Sequence, residues 1–107
     1  MEREREHTTM PTYIVLFKKT EEGRKITAED ARQRRAKGIE INEEYGTEIR
    51  GLYYGLGEYE MVAIVDAPDS ETVAKVQLAY EREGLARTEA FEVFEPDEWD
   101  AILEDAL

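Results

Sequence analysis

The chain has 107 residues, a net charge of −12 and no cysteine. That length suits one domain, which buries roughly 60–70% of its unfolded surface and needs no covalent staples. Without cysteine there can be no disulfide, thiol nucleophile, thiolate metal site or iron–sulfur cluster.

The charge is unevenly placed. Residues 1–50 carry 11 basic and 11 acidic side chains, whereas residues 51–107 carry 3 basic and 15 acidic ones. An acidic half repels nucleic acid and anionic lipid, so neither is an expected partner. The apolar runs are only a few residues long, as in Tyr13–Phe17 and Met61–Val65, and a membrane span needs about 20. A basic window between Lys18 and Lys37 is interleaved with Glu21, Glu22, Glu29 and Asp30, and reads as a solvated helix face.

Residues 1–9, MEREREHTT, read as a mobile polar arm, with one domain over 10–107. The arm lacks the apolar stretch of a signal peptide, and a cytoplasmic setting is expected. It holds His7, the only histidine, so a histidine metal site, a haem ligand or a Ser-His-Asp triad would have to rest on the arm. No metal and no cofactor are therefore expected.

Thr12–Lys18, TYIVLFK, predicts a strand that is apolar on both faces, hence central. Thr27-Ala28-Glu29-Asp30 has the form of a capping box and opens a helix over about 28–45, closed by a left-handed Gly46. Its stripe of Ala28, Ala31, Arg35, Ile39, Asn42 and Tyr45 is thin in apolar character, and Gly38 in its middle costs about 1 kcal/mol relative to alanine. Residues 47–56 and 58–66 predict a hairpin turned by Gly55 and Gly57. Simple alternation puts Tyr59, Met61, Ala63 and Val65 on one face, with Glu58, Glu60, Val62 and Ile64 on the other. Asp69 or Ser70 caps a second helix with Val73, Val76, Gln77 and Tyr80 inward, and Gly84 ends it. A strand over 85–95 and a short helix from Pro96, with Trp99, Ile102, Leu103 and Ala106 along one stripe, complete the chain.

The order β-α-β-β-α-β with right-handed crossovers predicts an α+β, ferredoxin-like antiparallel sheet carrying a C-terminal helix. Both long helices then lie on one face, which leaves the outer face of the first strand uncovered. Two sheets packed face to face in a homodimer, a dimeric α/β barrel, would cover it.

Several stretches carry a resemblance: Met10–Lys18, Thr20–Gly23, Gly51–Tyr54, Leu56–Glu60, Val65–Asp69 and Arg87–Glu89 are similar to the GYD domain family. The family's Gly-Tyr-Asp-like signature falls here on Gly57, Tyr59 and Glu60, with glutamate in place of aspartate. The resemblance implies a small ferredoxin-like protein of the dimeric α/β-barrel type and no particular activity. The wider superfamily includes cofactor-independent monooxygenases, haem-handling proteins and metabolite-sensing domains, so fold alone does not settle function.

The candidate ligand-binding residues are Tyr13, Tyr54, Glu58, Glu60 and Arg87. A carboxylate pair two residues apart on a strand can share a proton, or it can keep a hairpin tip soluble. Calcium commonly takes about six to eight oxygens, and no such loop is present. Tyr53 and Tyr59 read as a cross-strand packing pair, whereas Tyr13 and Tyr54 offer an apolar body with a polar tip. Arg87 can clasp a carboxylate of a ligand or of a neighbour. The loop Lys18–Lys25 is a weak anion site, since no phosphate-binding glycine motif accompanies it. The expected function is a non-catalytic dimeric module that binds or senses a small organic molecule, or serves as a scaffold. The alternative is a cofactor-independent monooxygenase or isomerase, with Glu60 as base, Tyr54 as donor and Arg87 as anion clamp.

Overall fold

A computed structural model describes residues 10–18 and 27–107. The elements are β1 (Thr12–Lys18), α1 (Ala28–Glu44), β2 (Glu48–Tyr54), β3 (Met61–Asp66), α2 (Ser70–Arg82), β4 (Arg87–Val93) and α3 (Pro96–Ala106). The expected arm at 1–9, with His7, lies outside the described residues, as does most of the expected anion-binding loop.

The four strands form one antiparallel sheet in the order β2-β3-β1-β4, the ferredoxin-like arrangement, with β1 central as its two apolar faces require. Tyr13, Val15 and Phe17 on β1 point toward the helices and are buried. The core joins Val15, Phe17, Ala63 and Val65 of the sheet to Ile41 of α1 and to Val76, Ala79 and Tyr80 of α2. Phe17 meets Tyr80 edge to face, with ring centroids 5.2 Å apart, the geometry that aromatic quadrupoles favour.

Local chemistry sets the helix ends. Thr27 Oγ1 accepts from the Asp30 amide at 3.1 Å and Asp30 Oδ2 accepts from the Thr27 amide at 3.4 Å, the expected capping box. Asp69 caps α2 by accepting from the Thr72 amide at 2.8 Å. These hydrogen bonds, first from the Thr72 backbone and then from its side chain, hold the Asp69 carboxyl below its usual range. Gly46 (φ 77°) and Gly84 (φ 70°) take the left-handed conformation that closes α1 and α2.

The other sheet face carries Ile14, Leu16, Val62 and Ile64, all half-buried, and Phe91, which is exposed. No helix covers it. At one end of this face the buried Asp66 carboxylate accepts from Thr12 Oγ1 at 2.8 Å and pairs with Arg50 at 3.2 Å, beside the register shift between Ile49 and Gly51. At the far end of the chain, α3 has no buried residue. Its Trp99 lies 6.1 Å from Phe94 by ring centroids, and Ile102, Leu103 and Leu107 are exposed. Among the described residues no helix is long and apolar enough to cross a membrane.

Two expectations for the hairpin change. β2 ends at Tyr54 and β3 begins only at Met61, so residues 56–60 bend instead of continuing the strands. Gly55 and Gly57 have no positive φ, and a Cβ on either would meet nothing within 4 Å, so the turn does not depend on their being glycine. Alternation therefore stops at Met61. Tyr59 swings to the open face, where its hydroxyl donates to Glu89 at 2.9 Å and Lys18 Nζ stands 5.8 Å from its ring. The expected Tyr53–Tyr59 pair does not form. Tyr53 instead lies over Gly51, where a Cβ would come within 3.0 Å of its ring.

Candidate functional site

A half-open cavity of about 340 Å³ lies between α1 and the β2–β3 side of the sheet. Its origin is the thin stripe of α1. The buried residues of this helix are Gly38, Ile41 and Asn42, all in its second half. The stripe expected from the sequence included Ala28, Ala31, Arg35 and Ile39, and these line the cavity instead of closing it. Two alanines and a charged side chain cannot span the gap to the sheet, so the first half of α1 leaves space beneath it. Leu52, Met61 and Ala63 form apolar walls on the sheet side. The volume falls at the lower end of small-molecule sites.

The floor is held by a buried polar network. Asn42 Nδ2 donates to the Gly38 carbonyl at 2.9 Å and to Tyr80 Oη at 2.8 Å, while Thr47 Oγ1 donates to Asn42 Oδ1 at 2.6 Å. Tyr80 Oη lies 3.3 Å from the Gly38 carbonyl and can donate to it. Every member gains a partner, which is what permits polar groups in a core. Burial raises the Tyr80 pKa, and the Asn42 hydrogen bond only partly opposes the rise. Asn42 was expected on the inward stripe but not as a hydrogen-bonding hub; Ile41, a core residue, was not on that stripe at all.

The rim of the cavity is polar. Tyr54 projects from the end of β2, and the Arg35 guanidinium stands 5.6 Å from its ring centroid. Arg34 donates to the Gly84 carbonyl at 3.3 Å. Glu60 also lines the cavity, placed by its backbone: its amide donates to Phe17 O at 3.0 Å and its carbonyl accepts from Gly55 at 2.9 Å.

The structure thus brings together Tyr54 and Glu60 of the five candidate residues. Tyr13 is buried beneath α2 with Ala67 and Val73, and burial first, then Glu92 and Asp69, raises its pKa. Glu58 sits outside the cavity and pairs with Lys18 at 3.2 Å. Arg87 is exposed at the start of β4, opposite Lys18 and therefore on the open face. Arg34 and Arg35 were not among the candidates. Arg34 had no sequence signal beyond the basic window, which looks the same whether a helix faces water or a cavity; Arg35 also fell on the expected inward stripe of α1, but that stripe was read as packing and not as a site.

The site and sheet together describe a small ferredoxin-like α+β domain, with one apolar face open among the described residues and a cavity under its first helix. The family model for the GYD domain matches residues 13–103, and this chain belongs to that family. A relative from Thermus thermophilus is 30% identical over 83 residues, covering 78% of this chain and 87% of that protein. It is named glutamine synthetase and cystathionine beta-lyase binding protein.

Proposed function

We propose that this chain is a non-catalytic, homodimeric binding module whose partners are other proteins. The observation that carries the reading is the uncovered apolar sheet face of Ile14, Leu16, Val62, Ile64 and Phe91. Contiguous apolar surface of that kind marks an interaction site. A second copy packed sheet to sheet would cover it, with α3 closing over the edge, and would leave the helix layers of both copies outward for partners. The relative's name supports protein partners, and enzymes of the two kinds in that name are the proposed ones here.

The cavity supports a second role, binding a small organic molecule beside Tyr54 and Glu60. The enzyme alternative receives less support. Its base and donor line the cavity, while Arg87, its anion clamp, stands on the opposite face of the sheet.

Light scattering coupled to size exclusion tests the dimer. Wild-type protein should elute with twice the chain mass, and Leu16→Glu should give a folded monomer. Calorimetric titration of the dimer into purified glutamine synthetase and cystathionine β-lyase tests the partners. No heat with either enzyme would remove that assignment, and a monomeric wild type would remove the sheet-to-sheet arrangement.

A further inference from the structure

We infer that the cavity under α1 binds an organic acid, a carboxylate carried on an apolar body. The inference deepens the small-molecule role proposed above and rests on the cavity being a ligand site. Its walls are aliphatic and aromatic, with Ile39, Leu52 and Met61 facing a space of about 340 Å³. Walls of this kind select an apolar body by the water they release.

The anion is specified by the rim. This protein carries a net charge of −12, yet among the described residues neither Arg34 nor Arg35 makes an ion pair. Arg34 spends one N–H on the Gly84 carbonyl, and Arg35 lies against the Tyr54 ring, so both keep N–H donors for another group. Guanidinium is weakly hydrated and planar, and its fork matches a carboxylate. The Tyr54 hydroxyl adds a donor at the same rim.

The test uses the full chain and four probes that share one ring system: 2-naphthoate, 2-naphthamide, 2-naphthyl phosphate and 2-naphthylmethylammonium. Binding is followed by amide chemical shifts of Ile39, Tyr54 and Met61. We expect 2-naphthoate to shift these amides saturably, 2-naphthamide to bind about tenfold more weakly, and the ammonium not to bind. Arg35→Gln should weaken 2-naphthoate more than 2-naphthamide and so narrow the preference for acid over amide. Because Arg34 also ties α1 to the Gly84 loop, Arg34→Gln is read beside its melting temperature. Ala31→Phe, which narrows the cavity, should weaken acid and amide alike.

Equal binding of acid and amide would overturn the anion assignment while leaving the cavity as a ligand site. Tighter binding of 2-naphthyl phosphate than of 2-naphthoate would overturn the carboxylate. Failure of all four probes to move the cavity amides up to their solubility would overturn both the ligand class and the small-molecule role.

Discussion

The side-chain amide of Asn42 donates to the Tyr80 hydroxyl at 2.8 Å, joining the last turn of α1 to the last turn of α2 under the cavity floor. Both residues are buried, so the bond forms away from water, where an unpaired polar group costs more than a hydrogen bond gains. Tyr80→Phe would remove the hydroxyl but leave Asn42 bound to the Gly38 carbonyl. We expect a loss of about 1–2 kcal/mol in urea unfolding with an unchanged m-value.

The same pair sets a pH dependence. Burial raises the folded-state pKa of Tyr80 above its ordinary value of 10.0. A raised pKa means the folded state holds the proton more tightly than the unfolded chain. The contribution is therefore fully present below the unfolded pKa and is lost as pH rises through the folded one. The stability difference between wild type and Tyr80→Phe should be flat from neutral pH to about 10 and shrink above it.

Gly38 is where α1 approaches Tyr80. A Cβ there would lie 3.1 Å from the Tyr80 oxygen and 3.2 Å from its ring. Alanine gains about 1 kcal/mol of helix propensity, against about 1–3 kcal/mol for crowding a packed core. The ring is held by Phe17 and Asn42 and has little freedom to retreat. Gly38→Ala should therefore destabilise by about 1 kcal/mol in thermal or urea unfolding, and a stabilised variant would show that the ring moves freely.

Tyr59 reports the turn. Its hydrogen bond to Glu89, chiefly, raises its pKa. Ultraviolet titration of Glu89→Gln should show one tyrosine fewer in the late-ionising group, with the wild-type far-ultraviolet spectrum retained. If the titration does not change, Tyr59 does not reach the open face in solution.

Asp66 tests the end of the open face. Asn in its place keeps an acceptor for Thr12 but loses the charge that meets Arg50 at 3.2 Å. Arg50 is nearly half exposed, which limits the cost of leaving it alone. Asp66→Asn should lose about 1–2 kcal/mol in urea unfolding, most of it from the weaker charge-assisted bonds.

The order of elements was legible because its signals are local. Thr27 with Asp30, Asp69 with Thr72, and the glycines after α1 and α2 act within a few residues of themselves. The double apolar faces of TYIVLFK placed β1 in the middle of the sheet, since only a central strand meets apolar groups on both sides. Alternation failed between Tyr54 and Met61 because it holds only while the backbone stays extended. Five bent residues turned Tyr59 to one face and let Glu60 join the cavity lining.

For this protein, sequence alone determined the ferredoxin-like order, the helix ends and the membership that the hairpin and first strand suggest, because each depends on neighbours in the chain or on a repeating period. Tertiary structure decided the rest. Whether Ala28, Ala31 and Arg35 pack or stand back depends on how far α1 lies from a sheet built by residues distant in sequence. Whether Asn42 is a liability or a tie depends on Tyr80, 38 residues away. Whether Arg87 joins Tyr54 and Glu60 depends on which face of the sheet each occupies, and pairing between strands sets that, not spacing along any one of them.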